Sequence, residues 1–158
     1  MTRYFVDASV IIHLDRAGEL ALLRELVGPI HVTAEVAVEL RGGPNPIDLG
    51  APAFRGWVTL VPGRRKAPPM GLGKGESSLL LAARPGDRLV LDDAQARAVA
   101  EARGLQHVGL LGLLVAGATS SRLKPERALR VLDTLVATEF RLPPELYAKA
   151  RNAIESVR

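Results

Sequence analysis

Five short apolar runs punctuate this chain, and a stretch of helical periodicity follows each one. The runs are Arg3–Val6, Ile30–Val32, Trp57–Val61, Arg88–Leu91 and Gln106–Val108. Strands alternating with helices read as βα units, which close into a parallel sheet with helices on both faces. Glycine and proline set the boundaries. Gly28-Pro29 stops a helix carrying Leu20, Leu23 and Leu26 on one face, Gly42-Gly43-Pro44 stops the next, and Pro85-Gly86 and Gly104 stop two more. The spacing predicts helices over Ser9–Leu14, Glu19–Val27, Thr33–Arg41, Glu76–Arg84, Ala94–Arg103 and Gly109–Thr119. Two more are predicted at Pro125–Ala137 and Pro144–Val157, whose prolines fall at the favoured first turn. The length, 158 residues, fits one domain spanning residues 1–158, with the last two helices as an appended element.

Composition excludes several chemistries. There is no cysteine, so disulfides, zinc–thiolate sites and a cysteine nucleophile are out. His13, His31 and His107 are far apart and read as ordinary sheet and helix residues, so any metal must be a hard cation held by carboxylates. No apolar stretch is long enough for a membrane span, and Met1–Asp7 does not read as a targeting segment, so a cytoplasmic protein is expected. Net charge is +4 but unevenly spread: residues 1–40 hold 3 basic and 6 acidic side chains, and residues 41–103 hold 10 and 6. With several acids gathered at a metal, the remaining surface is positive and suits a polyanion.

The first strand runs straight into Asp7, and the fourth into Asp92-Asp93. In an open parallel sheet the carboxyl ends of the strands share one edge, and ligands bind in the crevice there. Glu39, in the helix after strand two, and Glu76, in the first turn after a glycine loop, can reach the same crevice. Two like charges about 4 Å apart repel by roughly 4 kcal/mol at an effective dielectric near 20, which a Mg²⁺ or Mn²⁺ ion would offset. Each acid also has a plainer reading. Asp7, Asp92 and Asp93 stand where helix caps stand, Glu76 suits a helix N-terminus, and Glu39 can be a solvated helix acid. Gly71–Glu76 lacks the Ser or Thr after lysine that a P-loop needs. Ser9 stands where a phosphotransferase of the haloacid dehalogenase type would need a second aspartate.

The ordered set of these segments resembles the PIN-domain family, in its VapC-like toxin branch. Tyr4-Phe5-Val6-Asp7-Ala8-Ser9-Val10-Ile11-Ile12 is similar to the family's opening motif. Val32–Leu40, with Glu39, is similar to the second, and Leu72–Ser78 to a variant third motif with Gly75-Glu76. Leu89–Arg97 resembles the fourth, and Gly104-Leu105 with Gly109–Leu114 the closing strand and helix. The resemblance implies a central parallel sheet flanked by helices and metal-dependent cleavage of RNA. It implies an acidic site at Asp7, Glu39, Glu76 and Asp92 or Asp93, with Ser9 orienting Asp7 or a metal-held water, and Mg²⁺ or Mn²⁺ as cofactor. It also implies a toxin with a small antitoxin partner; the alternative is an inactive PIN-like scaffold. Arg64-Arg65-Lys66, Lys74 and Arg97 are the candidates for phosphate contacts. A stripe of Ala128, Leu129, Leu132, Leu135 and Val136 on the seventh helix predicts a homodimer interface in the last third of the chain.

Overall fold

The structure is a computed structural model that describes residues 1–63, 71–138 and 140–157. Arg64, Arg65 and Lys66 lie outside the described residues. Five strands, β1 (Tyr4–Val6), β2 (Ile30–Thr33), β3 (Val58–Val61), β4 (Arg88–Val90) and β5 (Gln106–Val108), form one sheet in the order β3-β2-β1-β4-β5, with every neighbouring pair parallel. Among the described residues there are eight α-helices, α1 (Ala8–Arg16), α2 (Leu20–Val27), α3 (Ala34–Gly42), α4 (Lys74–Ala82), α5 (Ala94–Ala102), α6 (Leu110–Thr119), α7 (Pro125–Ala137) and α8 (Pro144–Glu155). They flank the sheet on both faces, giving the expected α/β architecture.

Burial follows from position in the sheet. Phe5, Val6, Leu89, Val90 and Leu91, on the central strands, are fully buried, as strands covered on both faces must be. On the edge strand β3, Leu60 is 53% exposed. The fourth helix departs from its expected bounds at both ends. α4 starts at Lys74 because Gly73 takes the cap position and Glu76 reaches back to accept from its amide (3.2 Å). It stops at Ala82, short of Arg84, because Pro85 disfavours helical backbone in the residue before it.

The α7 stripe is spent inside the chain, which corrects the expectation that it faces a partner. Ala128, Leu132 and Leu135 are fully buried together with Val131, packed against α1, α6 and α8. Only Val136 of the stripe is exposed. Arg127 fastens the same helix to α2 through Glu19 (3.1 Å) and Glu25. Among the described residues no helix is long and apolar enough to cross a membrane.

Candidate active site

The strand order reverses between β1 and β4. From β1 the chain builds outward to β2 and β3 on one side, and from β4 to β5 on the other. A crevice at such a switch point opens where the flanking loops diverge. The ladder carries Asp7 into it: the Asp7 amide donates to Val90 O (3.1 Å), and the Leu91 amide donates to Val108 O (2.9 Å). Asp7 and Asp92 therefore leave neighbouring strands at the same edge.

Asp7 is 3% exposed. It holds the N-cap position of α1, yet its side chain makes no capping hydrogen bond. Instead Ser9 Oγ donates to Asp7 Oδ2 (2.9 Å). Burial pushes the Asp7 carboxyl above its ordinary range, and the Asp92 charge adds to the push. The Ser9 hydroxyl and the Ala8 and Ser9 amides oppose it.

The doublet divides. Asp93 is exposed and caps α5, its Oδ1 accepting from the Ala96 amide (2.7 Å). Asp92 turns the other way, and its Oδ1 accepts from the Leu110 amide at the start of α6 (2.9 Å). Asp92 Oδ2 is buried and has no partner among the described residues. Burial raises the Asp92 pKa, against the Leu110 amide and the charges of His13 and Arg97.

Glu39 reaches from α3 to the first turn of α4. A Cβ on Gly75 would stand 2.6 Å from Glu39 Oε2, so only glycine leaves that space. Glu76 follows one residue later. Both carboxyls are raised, by burial first. The Asp7 charge then acts on Glu39; on Glu76 the Gly73 amide opposes, and the charges of Asp7, Asp93 and Glu39 add. Glu39 is the more open of the two to solvent, which screens such effects. A buried pair of hydroxyls ties the two helices together. Ser78 Oγ donates to Gly75 O (2.6 Å), which leaves the Thr33 hydroxyl to donate to Ser78 Oγ (2.6 Å). Thr33 Oγ1 also accepts from the Val36 amide (3.3 Å), capping α3.

All five sequence-predicted acids thus share one edge of the sheet and one electrostatic field. Among the described residues no group of three such side chains stands close enough to grip an ion as it lies. The cause is local: Glu76, Asp92 and Asp93 each lean on a backbone amide at a helix start. The donor set nevertheless fits a hard divalent cation. It is all carboxylate oxygen, burial raises the pKa values of Asp7, Glu39, Glu76 and Asp92, with like charge adding at the first three, and Asp92 Oδ2 has no partner among the described residues.

The cationic candidates are placed unevenly. Lys74 is exposed as the first residue of α4. Arg97 faces Asp92 across Gly109, where an added Cβ would stand 2.8 Å from Asp92 Oδ1 and 3.6 Å from Arg97 Nη1. His13 corrects the sequence reading. It lies beside Asp92 in a cavity of about 670 Å³, with Arg97 and Arg141, and burial lowers its pKa. One signal could have found it: Ser9 and His13 are four residues apart and share a face of α1.

A family model described as DUF3368: PIN domain matches residues 3–156, and the chain belongs to this PIN-domain family. PIN domains are generally nucleases and generally use divalent metals such as Mg²⁺. No curated protein and no solved structure matches the chain.

Proposed function

We propose that the chain is a Mg²⁺- or Mn²⁺-dependent endoribonuclease of the VapC-like branch, the toxin of a toxin–antitoxin pair acting in the cytoplasm. The observation that carries the reading is the exit of Asp7 and Asp92 from paired strands at the switch point, with Glu39 and Glu76 brought to the same edge. Asp7, Glu39, Glu76 and Asp92 would hold the cation, with Asp93 beside them. A cation bound there would neutralise charge on the phosphate and lower the pKa of a coordinated water. Ser9 fixes the rotamer of Asp7, and the Leu110 amide fixes one oxygen of Asp92 while leaving the other free. Lys74 and Arg97, with Arg64, Arg65 and Lys66, would hold flanking phosphates. A small antitoxin and a homodimer joined through the last third of the chain complete the proposal. The buried α7 stripe leaves other surfaces of that region to make the dimer.

The test is cleavage of single-stranded RNA with Mg²⁺ or Mn²⁺ by wild type and Asp7→Asn, with calorimetric titration of the metal. The variant should retain its fold and lose both cleavage and metal binding. Equal cleavage by the variant, or cleavage by wild type in EDTA, sinks the mechanism. The scaffold reading draws on the three acids anchored to amides rather than to one another. It predicts a folded chain that takes up no metal.

A further inference from the structure

The cavity beside Asp92 is not needed to hold a cation, yet it opens onto the acidic edge. Its floor is α1 and the start of α6, and its outer wall is the connection between α7 and α8. Two kinds of surface meet in it. Phe140, Leu142 and Leu111 give an apolar side. Arg97 and Arg141 give two guanidiniums, and among the described residues neither forms an ion pair. His13 stands edge-on to Phe140, ring centroids 4.9 Å apart and planes at 80°, and its buried Nδ1 has no partner among the described residues.

We propose that this cavity is a nucleotide subsite: it takes the base and phosphate of the nucleotide next to the scissile bond and selects the base. The inference rests on the nuclease reading above and adds a specificity element to it. A cavity of about 670 Å³ accommodates one nucleotide, within the roughly 300–1,000 Å³ usual for small-ligand sites. A nucleotide is flat and apolar at one end and anionic at the other, which is the division the cavity shows. Arginine is the side chain suited to the anionic end, because its planar fork pairs bidentately with phosphate. Two guanidiniums disfavour a basic peptide segment as occupant. Asp92 belongs to both the cavity and the acidic edge, so a nucleotide seated here has its neighbouring phosphodiester beside the acids. His13 lines the cavity and presents its ring to a seated base.

The experiment separates binding from catalysis. Each of the four nucleoside 5′-monophosphates is titrated into the full chain in EDTA, by calorimetry and by chemical-shift change of the His13 ring. At least one should bind with unit stoichiometry, more tightly than inorganic phosphate. Arg141→Gln, an exposed position whose change spares the core, should weaken it about tenfold or more. Leu146→Glu, at the partly exposed rim, should do the same by charge, whereas Leu146→Met should not. On RNA, Arg141→Gln should weaken binding about equally across sequence contexts, as loss of a phosphate contact does. No binding by any of the four, or binding indifferent to Arg141→Gln and Leu146→Glu, overturns the subsite. So does an active wild-type enzyme that shows no preference among sequence contexts. Nucleotide binding that obeys these variants in a chain that cleaves no RNA with any metal overturns the nuclease reading and leaves the pocket standing.

Discussion

Replacing Ser78 with alanine tests the hydroxyl relay that ties α3 to α4. Thr33 is fully buried and Ser78 is 4% exposed, so water cannot replace what the substitution removes. The Gly75 carbonyl keeps its partner within the helix, because residue 79 donates to it by α-helical geometry. The Thr33 hydroxyl loses its acceptor outright. A buried donor left unsatisfied costs about 1–3 kcal/mol. Alanine regains roughly 0.5 kcal/mol of helix propensity over serine, so the net loss is about 0.5–2.5 kcal/mol. For a chain of this length that lowers Tm by roughly 1–10 °C.

Thr33→Val alone should cost a similar amount, because it also removes the cap on Val36 N, which is worth about 1 kcal/mol. The double variant carries the discriminating information. With the Thr33 hydroxyl gone, Ser78→Ala strands nothing, so it should cost little beyond Thr33→Val. Urea unfolding followed by circular dichroism, at equal m-values, should show a coupling energy of about 1–2 kcal/mol. Losses that add to within about 0.5 kcal/mol would refute the relay.

Four further outcomes follow from the site and the packing. Raised carboxyls favour the protonated form in the folded chain, so the contribution of Asp7, Glu39, Glu76 and Asp92 to stability is full below their unfolded pKa values. It is lost as pH rises through the folded ones. Asp7→Asn should therefore raise Tm at neutral pH in EDTA, and an unchanged or lower Tm contradicts the burial argument. Saturating Mg²⁺ or Mn²⁺ at about 100 times its Kd should stabilise wild type by about 2.7 kcal/mol, reversibly with EDTA, and should leave Asp7→Asn unmoved. Gly75→Ala should displace Glu39 Oε2 and lower cleavage by about tenfold to a hundredfold with little change in Tm; full activity would detach Glu39 from the site. Gly117→Ala would set a Cβ 2.4 Å from Leu26 Cδ2 between α6 and α2. It should cost about 1–3 kcal/mol in wild type and far less in a Leu26→Ala background, read by urea midpoint.

Strand and helix order was legible because glycine and proline break the chain where periodicity changes, and because Phe5-Val6 and Leu89-Val90-Leu91 are short apolar runs that each end at an aspartate. The acids were legible because strand polarity dictates which ends share an edge. The division of labour between Asp92 and Asp93 was not, since both precede α5 and either can cap it; the choice is made by the Ala96 and Leu110 amides, 18 residues apart for the latter. The fate of the α7 stripe was equally hidden. An amphipathic pattern states that a face will be covered and is silent on whether the cover is the same chain. His13 was passed over because its neighbours Phe140 and Arg141 come from a return of the chain that no local pattern announces.

The order of the sheet also times the appearance of the acidic edge during synthesis. β1 leaves the ribosome first, but its partner β4 lies more than 80 residues further on, with Tyr4 registered against Arg88. Asp92 is then oriented by the amide of Leu110, whose helix follows β5. Until the fourth strand has emerged, β1 has β2 beside it but neither β4 nor Asp92. The edge shared by Asp7 and Asp92 is therefore completed only once β5 and the first residue of α6 have been made.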